Sequence, residues 1–166
     1  MPTNFEVLFE ARPAVYAAWR QLMTAVKEGM DERRYELVTL AAARRLRSSY
    51  CCLAHGKILL EMFGEPVAVI TLDHHGAGLD AVDVAAMDLA EKVVDDATAI
   101  RDADLQPLRD LGLSETEIFD IVLAASIRCF FAKTNDAMGV LPDAGYAELA
   151  ADVREALVVG RPIAEV

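Results

Sequence analysis

The run RSSYCCLAHGK at positions 47–57 sets two cysteines side by side, Cys51 and Cys52, with His55 four residues after the first. A helix beginning near residue 50 places Cys51 and His55 one turn apart on one face. Cys51 then occupies the first turn, where the helix macrodipole favours a thiolate and a nearby imidazole can take the proton. Those are the ingredients of an activated sulfur nucleophile. Cys52 lies about 100° round the same helix and points elsewhere. Adjacent cysteines seldom bridge, because their Cα atoms are about 3.8 Å apart, below the usual disulfide range. The doublet reads as one functional thiol beside one packing thiol. Cysteine is also among the most buried residue types, so periodicity alone leaves a purely structural role open.

Other residues of chemical interest have competing readings. Asp73, His74 and His75 have the composition of a metal cluster, yet neighbouring histidines in a helix or strand project apart and no further ligand is evident. A solvated loop is the reading preferred, and neither a metal nor a cofactor is expected. Cys129 lies inside a long apolar helix and reads as core. Arg128 and Lys133 on that helix are candidates to line a cleft for an anionic substrate. Asn135 either bonds a backbone group between helices or faces the cleft. Tyr50 can supply a hydroxyl to the site or simply pack. Asp95 and Asp96 read as solvated charges at a helix end.

The elements that must position these residues are helical. Pro13 and Gly29 bracket a helix over 12–29 with Val15, Trp19, Leu22, Met23 and Val26 at helical spacing. Asp31 caps a second helix over 32–47, with Leu37, Leu40, Ala41 and Ala43 as its apolar positions. A third runs from 51 to 63 and stops at Gly64. The segment 66–72, PVAVITL, is rich in β-branched residues, but no strand exists to pair with it, so it is assigned as a short helix followed by the loop DHHGAG. Val82, Ala85, Ala86, Leu89 and Val93 mark a fourth long stripe, and 105–111 is a short helix. Ser114 and Glu117 form a capping box for a helix over 115–138, with Ile118, Ile121, Val122, Ala125 and Phe130 facing inward. A last helix spans 142–158.

Composition narrows the class. The 166 residues are 54% hydrophobic and 26% charged, enough to fold around one core, and 1–166 is expected to be a single domain. A net charge of −11 argues against binding a nucleic-acid backbone. The longest apolar run of the second half, 121–127, ends at Arg128, far short of the roughly 20 residues a membrane span needs. The first residues have no basic region preceding an apolar one, so no secretory signal is expected. Three cysteines do not make a secreted disulfide framework, and the expected compartment is the cytoplasm.

The stretch from Glu36 to His55 resembles the AhpD-like alkylhydroperoxidase, or carboxymuconolactone decarboxylase-like, superfamily, whose peroxidase signature is E-x11-C-x-x-C-x-x-x-H. Glu36 matches the glutamate, Cys51 the second cysteine and His55 the histidine; Ser48 stands where the first cysteine is found, and Cys52 falls outside the signature. FEVLFEARPAVYAAWRQLM is similar to the N-terminal helix of the peroxidase-related branch. DLAEKVV and the later DADLQPLRDLGLSETEIFDIVLAASIRCFFAKTNDAMGV, with its G-L-S-x-x-E-I turn and Asn135, are similar to its C-terminal half. The resemblance implies an all-α, AhpD-like domain of about six to eight helices. It implies a peroxidatic Cys51, a proton relay through His55 and Glu36, and a homo-oligomer (dimer, trimer or hexamer). In that family the first cysteine resolves the sulfenic acid into a disulfide. Ser48 has no such redox chemistry, although its hydroxyl can hydrogen-bond a Cys51 thiolate. Turnover on a hydroperoxide would then need an external thiol reductant, or Cys52 as a makeshift resolving thiol. Two alternatives stand beside this peroxidase reading. One is a carboxymuconolactone-decarboxylase-like lyase acting on a small organic substrate; the other is a non-catalytic helical binding protein on the same scaffold.

Overall fold

The computed structural model describes residues 2–165, and among them are nine α-helices, two short 3-10 turns and no strand. In chain order the helices are α1 (Asn4–Phe9), α2 (Pro13–Glu28), α3 (Glu32–Arg45), α4 (Ser49–Phe63), α5 (Val67–Leu72), α6 (Ala81–Asp96), α7 (Asp102–Asp110), α8 (Glu115–Ala137) and α9 (Ala151–Leu157). No helix among the described residues is long and apolar enough to cross a membrane.

The bundle is built around α3. Every residue from Tyr35 to Ala43 is buried, so this helix is enclosed on all sides by α4, α6 and α8 rather than presenting one stripe. The expected four apolar positions understated it, because Ala42 and Thr39 are small enough for neighbours to approach closely and Glu36 is buried as well. Thr39 satisfies its hydroxyl locally, donating to the Tyr35 carbonyl 2.8 Å away. Leu37, Leu40, Leu53, Leu59 and Leu89 are fully enclosed. Each contributes about 1.5–3 kcal/mol of transfer free energy, and together they offset the burial of a paired carboxylate.

Local signals set the boundaries. Asp31 caps α3 by accepting from the Arg34 amide at 2.9 Å, and Ser114 with Glu117 forms the expected box at the start of α8. Gly64 closes α4 in the left-handed conformation that costs glycine nothing. Between α3 and α4, Arg47 adopts φ 57°, a left-handed backbone rarely taken by a residue with a Cβ.

Several details differ from the sequence reading. α4 begins at Ser49, two residues early, and α1 is an additional helix ahead of Pro13. The expected helix over 142–158 divides into a 3-10 turn, Ala144–Glu148, and α9, with Leu149 extended between them. On α8, Phe131 is buried and Phe130 is exposed, because the inward line runs through Ile121, Ala124, Arg128, Phe131 and Asn135. On α6 the buried face takes in Asp83. Its carboxylate accepts from Arg33 at 2.5 Å and Arg34 at 2.7 Å and so anchors the first turn of α3.

Candidate functional site

Three helices meet around Glu36, His55, Cys51 and Arg128. Glu36 on α3 is only 1% exposed, and its two oxygens are used separately. Oε2 lies 2.5 Å from His55 Nδ1, while Oε1 accepts from Lys27 Nζ at 3.2 Å. Lys27 comes from the last turn of α2 and also pairs with Glu32 at 3.1 Å. Burial works against ionising Glu36, but the His55 hydrogen bond and the Lys27 charge outweigh it and hold the carboxyl below its ordinary range. His55 is shifted down, first by burial and then by the Arg128 charge, against the opposing pull of Glu36. The consistent state is an anionic Glu36 accepting from Nδ1–H of a neutral imidazole, which leaves the Nε2 lone pair free to act as a base.

Cys51 occupies the first turn of α4 and is 1% exposed. Its hydrogen-bond partner is Arg128 of α8, whose Nη1 donates to Sγ at 3.6 Å. Arg128 is itself 3% exposed, and no carboxylate among the described residues lies within ion-pairing distance of it. Its guanidinium also lies over the Phe131 ring, 5.6 Å from the centroid. Burial opposes the charge, yet the neighbouring Cys51 sulfur, Tyr35 hydroxyl and Glu36 carboxylate outweigh it and hold the Arg128 pKa above its ordinary value. Burial raises the Tyr35 hydroxyl against the opposing charge of Arg128.

The remaining candidates are placed differently. Ser48 is the N-cap residue of α4, fully buried, and its Oγ has no hydrogen-bond partner among the described residues. The expected hydrogen bond from this hydroxyl to Cys51 is therefore absent, and Arg128 occupies the role of donor to the sulfur. Cys52 is enclosed, and burial together with the neighbouring Cys51 pushes its thiol well above the ordinary range. The Tyr50 hydroxyl turns to Asp143, and its ring meets Phe5 and Tyr146 edge-on. Asn135 is fully buried with neither side-chain atom partnered among the described residues, so the hydrogen bond to a backbone group considered for it is not made. Arg128 and Lys133 do not share a cleft, since the first is buried and the second exposed. Cys129 is half-buried, and burial raises its thiol. Asp95 pairs with Arg45, and Asp96 caps the 97–99 turn through the Thr98 amide at 3.0 Å.

Arg128 was visible as a cation but not as a partner of the sulfur. The available signal was its register: it falls on the same inward line of α8 as Ile121, Phe131 and Asn135. The histidine pair behaves differently from expectation as well. His74 and His75 do lie in a turn, but His74 is buried, and both Nε2 atoms converge on Asp88 of α6.

No family description and no curated protein sequence matches this chain. Solved structures do. A peroxidase-related protein of Ralstonia eutropha JMP134, described as an alkylhydroperoxidase AhpD core, superposes with a TM-score of 0.80 at 21% identity, over 87% of this chain and 78% of that one. An uncharacterized peroxidase-related protein of Silicibacter sp. TM1040 superposes with a TM-score of 0.82 at 21% identity, over 89% of this chain and 80% of that one. At this identity the likeness is one of backbone architecture, and the all-helical AhpD-like fold is the fold of this chain.

Proposed function

We propose that this protein is a thiol-dependent, peroxidase-like oxidoreductase that reduces hydroperoxides through Cys51. The observation that supports it best is the pairing of a buried guanidinium with a buried sulfur, Arg128 Nη1 to Cys51 Sγ. A guanidinium enclosed without an ion-paired carboxylate is costly, and a thiolate at Cys51 would balance it.

In this reading His55 accepts the Cys51 proton at Nε2 while Glu36 and Lys27 hold the ring through Nδ1. The thiolate, stabilised by Arg128, attacks the terminal oxygen of ROOH. The S–O bond forms as the O–O bond breaks, and the alkoxide leaves as ROH with the proton returned by His55. Cys51 becomes a sulfenic acid. One equivalent of an external thiol condenses with it, releasing water and leaving a mixed disulfide. A second equivalent restores Cys51 and leaves as the oxidised disulfide. Ser48 supplies no sulfur for this step, and Cys52, adjacent to Cys51 and turned about 100° round the helix, is poorly placed to bridge to it, so an external reductant is the simpler route. The proposal includes a single domain over 1–166, a homo-oligomer and a cytoplasmic setting that provides the thiol.

The test is exposure to a hydroperoxide with a sulfenic-acid probe, read by mass spectrometry. Labelling at Cys51, abolished in Cys51→Ser, and peroxide consumption driven by added thiol are expected. An unlabelled Cys51 together with no peroxide consumption would sink the proposal. A second reading, a non-catalytic scaffold, is favoured by the near-complete enclosure of Cys51 and the lack of a hydrogen bond between Cys51 and His55. The same assay separates the two. The lyase reading is disfavoured because Arg128 serves a sulfur inside the bundle instead of facing an open polar cleft.

A further inference from the structure

The turn after α5 brings together three side chains that the peroxidase reading does not use. Asp73 folds back so tightly that a Cβ on Gly76 would come within 2.5 Å of its Oδ2, and this turn sets His74 and His75 side by side. Their ring centroids are 4.4 Å apart with a 35° tilt. His74 Nε2 lies 2.8 Å and His75 Nε2 2.9 Å from one and the same oxygen, Asp88 Oδ1 on α6. All three ligand atoms lie within 4.8 Å of one another.

Two imidazoles aimed through the same ring atom at one carboxylate oxygen are an inefficient way to satisfy a carboxylate. A divalent cation set between the three groups uses them all at once, because it takes a lone pair from each ring and one from the carboxylate. We propose that His74, His75 and Asp88 form a mononuclear site for a divalent transition-metal ion of the zinc class.

The donor set fixes the class of ion. Imidazole suits zinc and its first-row neighbours, whereas magnesium and calcium prefer all-oxygen shells. With ligand bonds of about 2.0–2.2 Å the three donors need separations of roughly 3.3 Å, an outward shift of about half an ångström from the present hydrogen-bonded spacing. His74 is a preorganised ligand, with its side chain only 8% exposed, while His75 and Asp88 are 60% and 38% exposed. The fourth position therefore faces solvent and takes a water or an exogenous ligand. Bound metal ties the 73–80 turn to α6, the helix that packs most extensively on α3.

The test is titration of the full, chelator-stripped chain with Zn²⁺ by calorimetry, repeated with Co²⁺ by absorption spectroscopy. One equivalent is expected. His75→Ala and Asp88→Asn should each weaken binding by at least about 10–100-fold, the loss that even an outer-shell change causes. His75 is exposed, so His75→Ala should keep the wild-type circular dichroism and metal-free melting temperature. Cys51→Ser and Cys129→Ser should bind as the wild type does, and the Co²⁺ spectrum should lack a thiolate charge-transfer band. No uptake by the wild type, binding that survives both His75→Ala and Asp88→Asn, or binding lost with a cysteine would each overturn the site.

Discussion

Burying a guanidinium costs several kcal/mol unless its donors are met; at Arg128 Nη1 reaches the Cys51 sulfur, while the buried Nε has no partner among the described residues. This pairing makes the two residues interdependent. Arg128→Met, of similar length but without charge, is expected to slow alkylation of Cys51 by iodoacetamide at neutral pH about 10- to 100-fold, from the 1.5–3 kcal/mol of a charged hydrogen bond. Arg128→Lys should recover part of that loss. Quantitative mass spectrometry of the alkylated peptide reads both, and faster alkylation in Arg128→Met would count against the pairing. The Glu36–His55 pair makes a second prediction. Folding lowers the pKa of His55 from its ordinary 6.5 and of Glu36 from 4.5, so the unfolded chain binds more protons as pH falls. Stability from each group is complete above its unfolded value and is lost as pH falls through its folded one. The melting temperature should therefore decline below about pH 6.5 and again below about 4.5, and His55→Gln should remove the upper decline. Helical spacing pairs Cys51 with His55, since it places i and i+4 together, while Glu36 is indicated only by the resemblance to the family signature. Neither located Lys27 or Arg128 as partners, because contacts between separate helices are set by packing that no local period encodes.

At the level of elements, the turn between α3 and α4 leads into the helix that carries Cys51 and His55. Arg47 has a left-handed backbone at a position where glycine would be at ease. Arg47→Gly is expected to stabilise the protein by up to about 1 kcal/mol, less whatever its long contact to the Val159 carbonyl contributes. That corresponds to a rise of about 2–4 °C in a thermal melt. Gly160 presses on the same turn: its amide donates to Ser49 Oγ at 2.8 Å, and an added Cβ would stand 2.1 Å from the Arg47 carbonyl oxygen. Because that neighbour is backbone and has little room to yield, Gly160→Ala should cost about 1–3 kcal/mol in urea denaturation. Caps and apolar periods made most helices legible, from Asp31 and Gly64 to the box at Ser114. The break within 142–158 was not legible. Leu149 leaves the helix there, while Arg154 reaches back to the Ala147 and Leu149 carbonyls, a tertiary arrangement with no capping sequence to announce it.

Across the whole molecule, a helix enclosed on all sides couples its neighbours. Because α3 packs on α4, α6 and α8 at once, residues 1–166 are proposed to unfold as one unit. Scanning calorimetry should show a single transition with equal calorimetric and van't Hoff enthalpies; two resolved transitions would divide the chain. Overall class was readable from composition because alanine-rich, strand-poor chains of this size have few other ways to bury their apolar surface. The centrality of α3 was not, since an amphipathic reading assumes one wet face and this helix has none over nine residues.

Asp143 lies 139 residues from Asn4 and 93 from Tyr50 in sequence. One of its oxygens accepts from the Asn4 amide at 2.7 Å and the other from the Tyr50 hydroxyl, while Asn4 also reaches the Leu141 carbonyl at 3.0 Å and the Ala164 amide reaches the Pro142 carbonyl at 2.9 Å. One short segment thus ties α1, the start of α4 and the residues after α9. In amide hydrogen exchange, these distant stretches should open as a single cooperative patch, and Asp143→Asn should accelerate exchange in all of them together.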